Sequence, residues 1–414
     1  MRIIYMYNNY IFAFQNLKAF ILNTKQKIIL KMKKKHTAFL KIFSTISLII
    51  LFFCAADVTD PSWFAKGYIL NKPLETTVDC ELAKLMLVDT QHLSVKLLFE
   101  KYKNKPLSTQ TLADIYFEHS ADVATFYFVQ RAYQLPENRK TQDLYHFYIE
   151  QLHLHKSTEA LKQLKNYYIV FIPGLGYKDF PGTGAHFKRQ RKLLNAYGIP
   201  NELITTKQWG VIEDNADIIV KRLQTLCQQH DNIILVSSSK SGLETAIVLG
   251  EKLKPEETTH IKAWISVAGI LRGSPIADFF LTPSKNFISK TFLFTKGKTL
   301  DMLESMSYRD RRKSFDELVF PQHIQIIHYV GAPLATKIRP KIKNRYLYML
   351  PLGPNDGFTP LADQICNQGR VVTEVGLDHY FDDPDIDIKA LALALTGMKL
   401  AEENNHTDAR LSKD

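Results

Sequence analysis

The sequence predicts an α/β protein whose central sheet is mostly parallel and covered by helices on both faces. The first observation is that, from Tyr167 onward, short unbroken apolar runs alternate with longer segments of helical periodicity. Such runs are typical of strands that are buried on both sides and joined by helical crossovers. The second is that small and polar residues follow several of these runs, at the strand ends where sheets of this kind place their sites.

Seven apolar runs are predicted strands, and three of the segments between them are predicted helices. The strands are Tyr168–Ile172, Glu202–Thr205, Asn232–Val236, Ala263–Val267, Ile324–Val330, Arg345–Leu350 and Val371–Val375. The helices are Gly184–Ala196, Asn215–Cys227 and Gly242–Lys252. Residues 166–400 are therefore predicted to form the α/β domain, and residues 401–414 a polar tail. Residues 57–165 carry apolar side chains at intervals of three and four and are predicted to form a helical N-terminal region.

The net charge of +11 is concentrated at the N-terminus. Residues 1–56 hold nine Lys and Arg and no acidic residue, so the other 358 residues carry 44 basic and 42 acidic groups, a net charge of +2. A surface that binds nucleic acid needs a clustered basic excess, so no nucleic-acid partner is predicted. The four cysteines show no CxxC spacing, and neither a metal nor a cofactor is predicted.

Residues 1–56 are predicted to be a leader. From Met32, the candidate natural start, a cationic segment precedes the apolar run Ile42–Cys54 and small residues that end at Ala56. This order is typical of a cleaved secretory signal, and the run is shorter than the about 20 residues that span a bilayer. We expect export to the periplasm or the medium, with a retained membrane anchor as the alternative.

A candidate nucleophile lies in a serine-rich turn after the predicted strand Asn232–Val236. A nucleophile on a sharp turn from strand to helix needs small residues two positions before and after it, because the backbone is crowded there. Of the four serines in the turn, only Ser239 has small residues on both sides, Ser237 and Ser241. Ser239 is therefore the predicted nucleophile, and the alternative is a serine-rich turn that only caps the helix.

Two backbone amides are candidates for stabilising an oxyanion. Lys240 follows the nucleophile at a helix N-terminus, where the helix dipole favours negative charge. Leu175 lies between two glycines in the loop that follows the first predicted strand, where the backbone can approach a substrate. The side chain of Lys240 is expected to be solvated.

The general base and its acid are predicted at two further loops. The chain order for this architecture is Ser, then Asp or Glu, then His. His379 follows the predicted strand Val371–Val375, and Asp356 follows the predicted strand Arg345–Leu350 in an Asn-Asp-Gly sequence that is also ordinary turn chemistry. Asp278 and Asp378 are the alternative acids.

Taken together, these segments resemble the α/β-hydrolase fold family, nearest to its bacterial lipases and esterases, over about residues 167–385. The resemblance is carried by Ile172-Pro173-Gly174-Leu175-Gly176, the Ser239 turn, the segment Gly269–Asp278, Asn355-Asp356-Gly357 and Asp378-His379. It implies Ser239 as nucleophile, Asp356 as acid and His379 as base, with the amides of Leu175 and Lys240 as oxyanion donors. Pro173 stands where many members have His. Phe381 stands where some lipases have a calcium-binding Asp, so calcium is not expected.

A lid insertion is predicted at about residues 279–322. It is rich in apolar side chains, namely Phe279, Phe280, Leu281, Phe287, Ile288, Phe292, Leu293 and Phe294. In lipase-like enzymes such a segment covers the serine, binds an acyl chain and contacts lipid when it opens. The alternative is a helical cap that only packs on the domain.

The predicted function is hydrolysis of carboxylic esters, of lipids in particular, through an acyl-enzyme. Two alternatives stay open: acyl transfer to an alcohol or lipid acceptor, and a non-catalytic binding protein that retains the fold. The expected partners are a small-molecule or lipid ester and, through the lid, a membrane surface.

Overall fold

The computed structural model describes residues 62–295 and 299–411. The predicted leader and its signal lie outside the described residues. Within the described ranges, no helix combines the length and apolar character needed to cross a membrane.

The N-terminal region begins with a β-hairpin, where the prediction of an all-helical segment from residue 57 is wrong. Strands β1 (Trp63–Ile69) and β2 (Lys72–Val78) pair antiparallel. They are joined by Leu70 and Asn71, which both have positive φ, 51° and 62°. Two such residues match the twist of the flanking strands, but the turn lacks the Asn-Gly or Asp-Gly pair that usually signals it in a sequence.

Six helices follow the hairpin, as the periodicity predicts. They are α1 (Glu81–Val88), α2 (Leu93–Tyr102), α3 (Thr109–Glu118), α4 (Ala121–Gln134), α5 (Pro136–His153) and α6 (Thr158–Leu164). The starts of α3 and α4 are capped by Ser108 and Ser120, whose hydroxyls accept from backbone N–H groups of the first turn.

The second sheet has six parallel strands, which confirms the predicted fold class. Its members are β3 (Tyr168–Ile172), β4 (Asn201–Leu203), β5 (Ile233–Ser238), β6 (Ile261–Val267), β7 (Gln325–Ala332) and β8 (Arg370–Val375). They lie side by side in the order β4-β3-β5-β6-β7-β8. Because all six run the same way, their carboxyl ends share one edge of the sheet, and the loops that follow β3, β5 and β8 meet there.

Helices between and after the strands cover both faces of this sheet. They are α7 (Lys188–Ala196), α8 (Ile212–Cys227), α9 (Lys240–Ile247), α10 (Pro275–Leu281), α11 (Pro283–Thr295), α12 (Asp301–Glu304), α13 (Tyr308–Asp316), α14 (Pro340–Met349) and α15 (Ile386–Leu411). Alternation along the strands separates two cores: Val170 and Leu235 pack with α8 and α9, whereas Ile169 and Ile234 pack with α5, α7 and α15. The helix-rich sequence 275–316 occupies the predicted lid segment.

Two elements differ from the sequence prediction: a predicted strand is helical, and the predicted tail begins inside a helix. Residues 345–350 belong to α14 and a following helical turn instead of a strand, because Tyr346 and Met349 are buried and the residues between them are exposed, which is a helical period. The predicted polar tail from residue 401 begins inside α15, since residues 401–411 contain no Gly or Pro that would end the helix.

A third core joins the N-terminal region to the parallel sheet. It combines apolar side chains of the hairpin and of α1–α4 with Val330 and Ala332 of β7 and Val371 of β8. The buried carboxylate of Asp122 on α4 adds a polar contact, since it accepts a hydrogen bond from the amide of Ala335 at 2.7 Å. The described residues accordingly belong to one compact unit.

Candidate active site

Ser239 lies on a strained turn between β5 and α9. Its φ is 57° and its ψ −122°, a conformation that is costly for any residue with a Cβ. The turn is held by three backbone hydrogen bonds: Ser239 donates to Val267 O at 3.0 Å, and its own carbonyl accepts from Gly242 at 2.9 Å and Ile270 at 3.0 Å. These bonds fix the side chain of Ser239 at the carboxyl edge of the sheet.

The serines on either side of this turn both form hydrogen bonds through their hydroxyls. Ser237 Oγ accepts from the indole Nε1 of Trp264 at 2.8 Å inside the core. Ser241 Oγ donates to the carbonyl of Ile172 at 2.7 Å and accepts from the amide of Ser238 at 2.9 Å. Ser241 thus ties the turn to the end of β3, which a glycine at that position could not do.

His379 joins the serine to the acid. Its Nε2 lies 2.8 Å from Ser239 Oγ, and its Nδ1 lies 2.7 Å from Asp356 Oδ2. The imidazole side chain is only 5% exposed and packs on the ring of Phe358, with 4.4 Å between ring centroids. The three residues predicted from the sequence, which come from three separate loops, therefore form one hydrogen-bonded series.

Asp356 is fully buried and accepts several hydrogen bonds. Oδ1 accepts from the amides of Phe358 at 2.9 Å and Thr359 at 3.0 Å, and Oδ2 accepts from Gln364 Nε2 at 3.1 Å as well as facing His379. A buried carboxylate is stable only when it is paired and hydrogen-bonded. These contacts orient Oδ2 toward the imidazole.

The loop that carries Asp356 is positioned by helices, since the segment that leads directly into it is helical. Gly353 has a φ of 91°, and a Cβ there would lie 3.0 Å from the amide nitrogen of Ala113 in α3. The side-chain amide of Asn355 donates to the carbonyl of Tyr346 in α14 at 3.1 Å, and its oxygen accepts from Gly357 N at 3.0 Å. The N-terminal region therefore contacts the segment that leads to the acid.

The two alternative acids are engaged elsewhere. Asp278 Oδ2 accepts from the amide of Arg309 at 3.1 Å, at the start of α13. Asp378 pairs with Arg339, whose Nε donates to Oδ2 at 2.6 Å while Nη2 donates to Oδ1. Of the three carboxylates that the sequence offers as candidate acids, Asp356 is the one that faces His379.

Two other histidines have structural surroundings. His328 is fully buried in β7 beside Cys366, and burial lowers its pKa to about 3, so it stays neutral. His323 Nε2 lies 2.9 Å from the carbonyl of Thr258. Neither contact involves Ser239.

The candidate oxyanion donors lie on two loops that are in contact. A Cβ on Gly174 would lie 3.1 Å from Ser238 Oγ, a tight contact that would require the neighbouring atoms to shift, so the loop after β3 lies close to the serine turn. Gly174 N donates to Ala185 O and Gly176 N to Gln208 O, which fixes the chain on both sides of Leu175. The amide of Lys240 begins α9 and is one of the N–H groups that a helix leaves without an intrahelical acceptor.

The side chain of Lys240 is buried, so its expected solvation is wrong. It is 2% exposed and forms an ion pair, one turn along α9, with Glu244, which is 1% exposed. Asn215 Nδ2 donates to Glu244 Oε1 at 2.7 Å. Burial raises the pKa of Glu244, and the lysine and the amide oppose that rise. Both residues of the ion pair belong to the helix that begins directly after Ser239.

The predicted lid segment is attached to the acid loop. Ser274 Oγ donates to the carbonyl of Phe358 at 2.5 Å, just before α10 begins. The ring of Phe279 on α10 packs edge-on against Tyr348 of α14, with 4.8 Å between centroids. On α11, Phe287 and Phe294 are 78% and 81% exposed.

The described residues contain no group that suggests a metal centre. In ranges 62–295 and 299–411, no three His, Cys, Asp or Glu side chains are placed to hold a metal ion, and the absence of a metal remains a prediction. Phe381, at the position that some lipases use for calcium, is 5% exposed and packs on Tyr329 with 4.7 Å between ring centroids. The described cysteines, Cys80, Cys227 and Cys366, are free thiols.

Sequence reasoning missed two residues that support the series. Gln364 holds Asp356 Oδ2, and Arg339 holds the residue before His379. Neither has a sequence signal, because each reaches its partner only through the fold. For Lys240, the signal was Glu244 four residues later, which is the spacing of a helical ion pair.

Comparisons with known proteins give structural likeness only. No protein-family model and no curated protein matches the chain. A metagenomic carboxyl esterase is 18% identical with a TM-score of 0.43, over 59% of this chain and 76% of that chain. The mature form of a lipase from Bacillus licheniformis is 17% identical with a TM-score of 0.44, over 56% and 91%. Esterase B from Lactobacillus Rhamnosis is 11% identical with a TM-score of 0.34, over 59% and 78%.

Proposed function

We propose that this protein is a serine hydrolase that cleaves carboxylic esters through an acyl-enzyme. The observation that carries the proposal is the series Ser239 Oγ, His379 Nε2 and Nδ1, Asp356 Oδ2, with contacts of 2.8 and 2.7 Å. The strained conformation of Ser239 supports it, since such strain concentrates at functional sites.

In the proposed reaction, Ser239 Oγ attacks the ester carbonyl while His379 Nε2 takes its proton. The carbonyl electron pair moves to the oxygen, which the amides of Leu175 and Lys240 stabilise. The electron pair then returns, the alcohol leaves with the proton from His379, and the acyl-enzyme remains. Water attacks next, with His379 again as base, and releases the carboxylic acid. Asp356 keeps the proton on Nδ1 and stabilises the imidazolium.

The proposed substrates carry an apolar acyl chain. The lid segment supports this, because Phe279 and Phe280 lie half-buried on α10 and Phe279 packs on Tyr348, in the helix that precedes the acid loop. The exposed Phe287 and Phe294 lie seven residues apart on one side of α11, and an exposed apolar patch is typical of an interaction site. We propose that this side contacts the lipid surface, and that the protein acts outside the cytoplasm after export by its leader.

The test is replacement of the nucleophile in the full-length chain. Ser239→Ala removes hydrolysis of p-nitrophenyl butyrate and labelling by a fluorophosphonate probe, while circular dichroism stays that of the wild type. Ser238→Ala is the matched control, one residue away, and keeps both signals. Labelling of wild type without hydrolysis, together with product that scales with an added alcohol, would indicate acyl transfer. A folded wild type that is not labelled would refute the proposal in favour of a binding protein.

A further inference from the structure

A basic cleft lies beside the loop that carries the candidate oxyanion donor Leu175. It has a volume of about 600 Å³ and is bounded by that loop, by α7 and by the end of β4. None of its lining residues is acidic. Its polar lining comprises Tyr177, Lys178, His186, Lys188, Arg191, Lys192 and Asn195, and we call this group the basic cleft.

The cations of the basic cleft are not neutralised by neighbouring carboxylates. Within the described ranges, none of Lys178, Lys188, Arg191 and Lys192 forms an ion pair. Arg189, on the same helix but outside the cleft, pairs with Asp387 at 2.7 Å. On α7, the cations without a carboxylate partner are thus the ones that line the cleft.

This placement of charge is unfavourable for α7 itself. Lys188, Arg191 and Lys192 lie at spacings of three and four residues, where like charges repel, and they lie in the first turns of a helix, whose dipole favours anions. Arg191 Nε donates to the neutral Asn201 Oδ1 at 3.3 Å, which leaves the charge of the guanidinium without a counter-charge. Local rules broken in this way are expected at functional sites. A bound anion would supply the missing compensation.

The basic cleft lies on the same edge of the sheet as Ser239. Leu203, which lines the cleft and ends β4, pairs with Phe171 of β3, and Phe171 pairs with Val236 of β5. Two strand spacings, about 10 Å, therefore separate the end of β4 from the strand that leads to Ser239. Gly174, beside the serine turn, donates to Ala185, the residue before His186.

We propose that the basic cleft binds a phosphate group. Phosphate monoesters carry a charge of about −1.5 to −2 at neutral pH and accept several hydrogen bonds, which suits a site of lysines and an arginine. On the proposed function, this phosphate belongs to the ester substrate, whose acyl group lies at Ser239. A soluble phosphate ester and a phospholipid headgroup offer the same chemistry.

Binding is tested without catalysis in full-length Ser239→Ala protein. Calorimetric titration with glycerol 3-phosphate gives saturable binding, and glycerol gives none. Vesicles of phosphatidylglycerol, compared with vesicles of an uncharged glycolipid, test the headgroup. Lys188→Gln/Lys192→Gln weakens binding about tenfold, the scale of losing one charge-assisted contact. The control Lys96→Gln/Lys221→Gln makes the same charge change on α2 and α8 and leaves affinity unchanged.

Each outcome decides between sources or overturns the proposal. Binding of glycerol 3-phosphate alone assigns a soluble ligand, and binding of anionic vesicles alone assigns a headgroup. No binding of either, or equal weakening in both double variants, overturns it. The structure of each variant is checked by circular dichroism.

Substrate preference is tested with otherwise wild-type protein and two esters that differ only in the phosphate, butyrylglycerol and butyrylglycerol phosphate. The cleft variant raises KM for the phosphate ester about tenfold and leaves the neutral ester unaffected. Equal effects on both esters would refute a substrate role. Failure of the proposed function differs from failure of the cleft, since the first abolishes turnover of both esters while phosphate still binds.

Discussion

Asp378, directly before His379 in the chain, lies on the guanidinium of Arg339 and not on the imidazole. The contact is two-pronged, with Nε at 2.6 Å from Oδ2 and Nη2 on Oδ1, and Arg339 also pairs with Asp382. Arg339 directly precedes α14, which also holds the acid loop through Asn355. Arg339 is thereby a positioning residue for the loop of His379.

Replacing this arginine is expected to lower turnover and stability together. In Arg339→Gln, the buried Asp378 loses its partner, which costs about 3 kcal/mol of unfolding free energy, and the loosened loop lowers kcat about tenfold or more. Arg339→Lys restores part of the stability but not the two-pronged geometry. Urea denaturation and p-nitrophenyl butyrate kinetics measure both effects. Unchanged kcat in folded Arg339→Gln would contradict the positioning role.

The assignment of the acid is tested by a pair of Asp→Asn variants. Asp356→Asn keeps the shape of the site but favours the wrong imidazole tautomer, so kcat falls about 10⁴-fold. Asp278→Asn is the matched control, since Asp278 bonds only to the start of α13 among the contacts described, and it retains activity. Equal losses in the two variants would refute the choice of Asp356.

The buried ion pair between Lys240 and Glu244 predicts that the effects of its two single substitutions on the free energy of unfolding are strongly non-additive. Lys240→Met leaves the buried carboxyl group of Glu244 without its cation, which costs about 3–5 kcal/mol of unfolding free energy. The double variant Lys240→Met/Glu244→Leu removes both charges and recovers most of that loss. Urea denaturation of the wild type, both single variants and the double variant completes the cycle. A double variant no more stable than Lys240→Met would contradict this account.

Asp122 predicts a dependence of stability on pH. Burial and the neighbouring Asp79 raise its pKa from 3.8 to about 7. Between these values, folded Asp122 holds a proton that the unfolded chain has released, so the free energy of unfolding falls as pH rises from about 4 to about 7. Asp122→Asn lacks this contribution.

Denaturation of both proteins at pH 5 and pH 8 measures the effect. The wild type is expected to lose more stability than Asp122→Asn between the two values. The same loss in both proteins would show that Asp122 does not take up the proton on folding.

Steric and topological rules allowed two residues of the candidate site to be chosen from the sequence. Ser239 could be chosen among four serines because crowding at the turn is a local property of the chain. His379 could be chosen because β8 is a regular strand with a clear apolar pattern. Both arguments depend on residues close in sequence to the one chosen.

Other features depend on contacts that sequence distance hides. Asp356 was predicted to follow a strand, but the segment before it is helical, so its contact with His379 depends on helix packing that the sequence pattern did not show. Gln364 and Arg339 gain their roles from partners that only the fold brings near. The side chain of Lys240 can be buried because it pairs with Glu244, which also accepts a hydrogen bond from Asn215 of α8.

The shared core between the N-terminal helices and strands β7 and β8 makes the two halves of the chain mutually dependent. A polypeptide that began at Tyr167 would leave Val330, Ala332 and Val371 facing water and would leave Gly353 without the helix it packs against. The N-terminal region therefore stabilises the parallel sheet and cannot be removed without exposing this shared core. It also contacts the segment that leads to Asp356, so any shortened version of this protein has to include it.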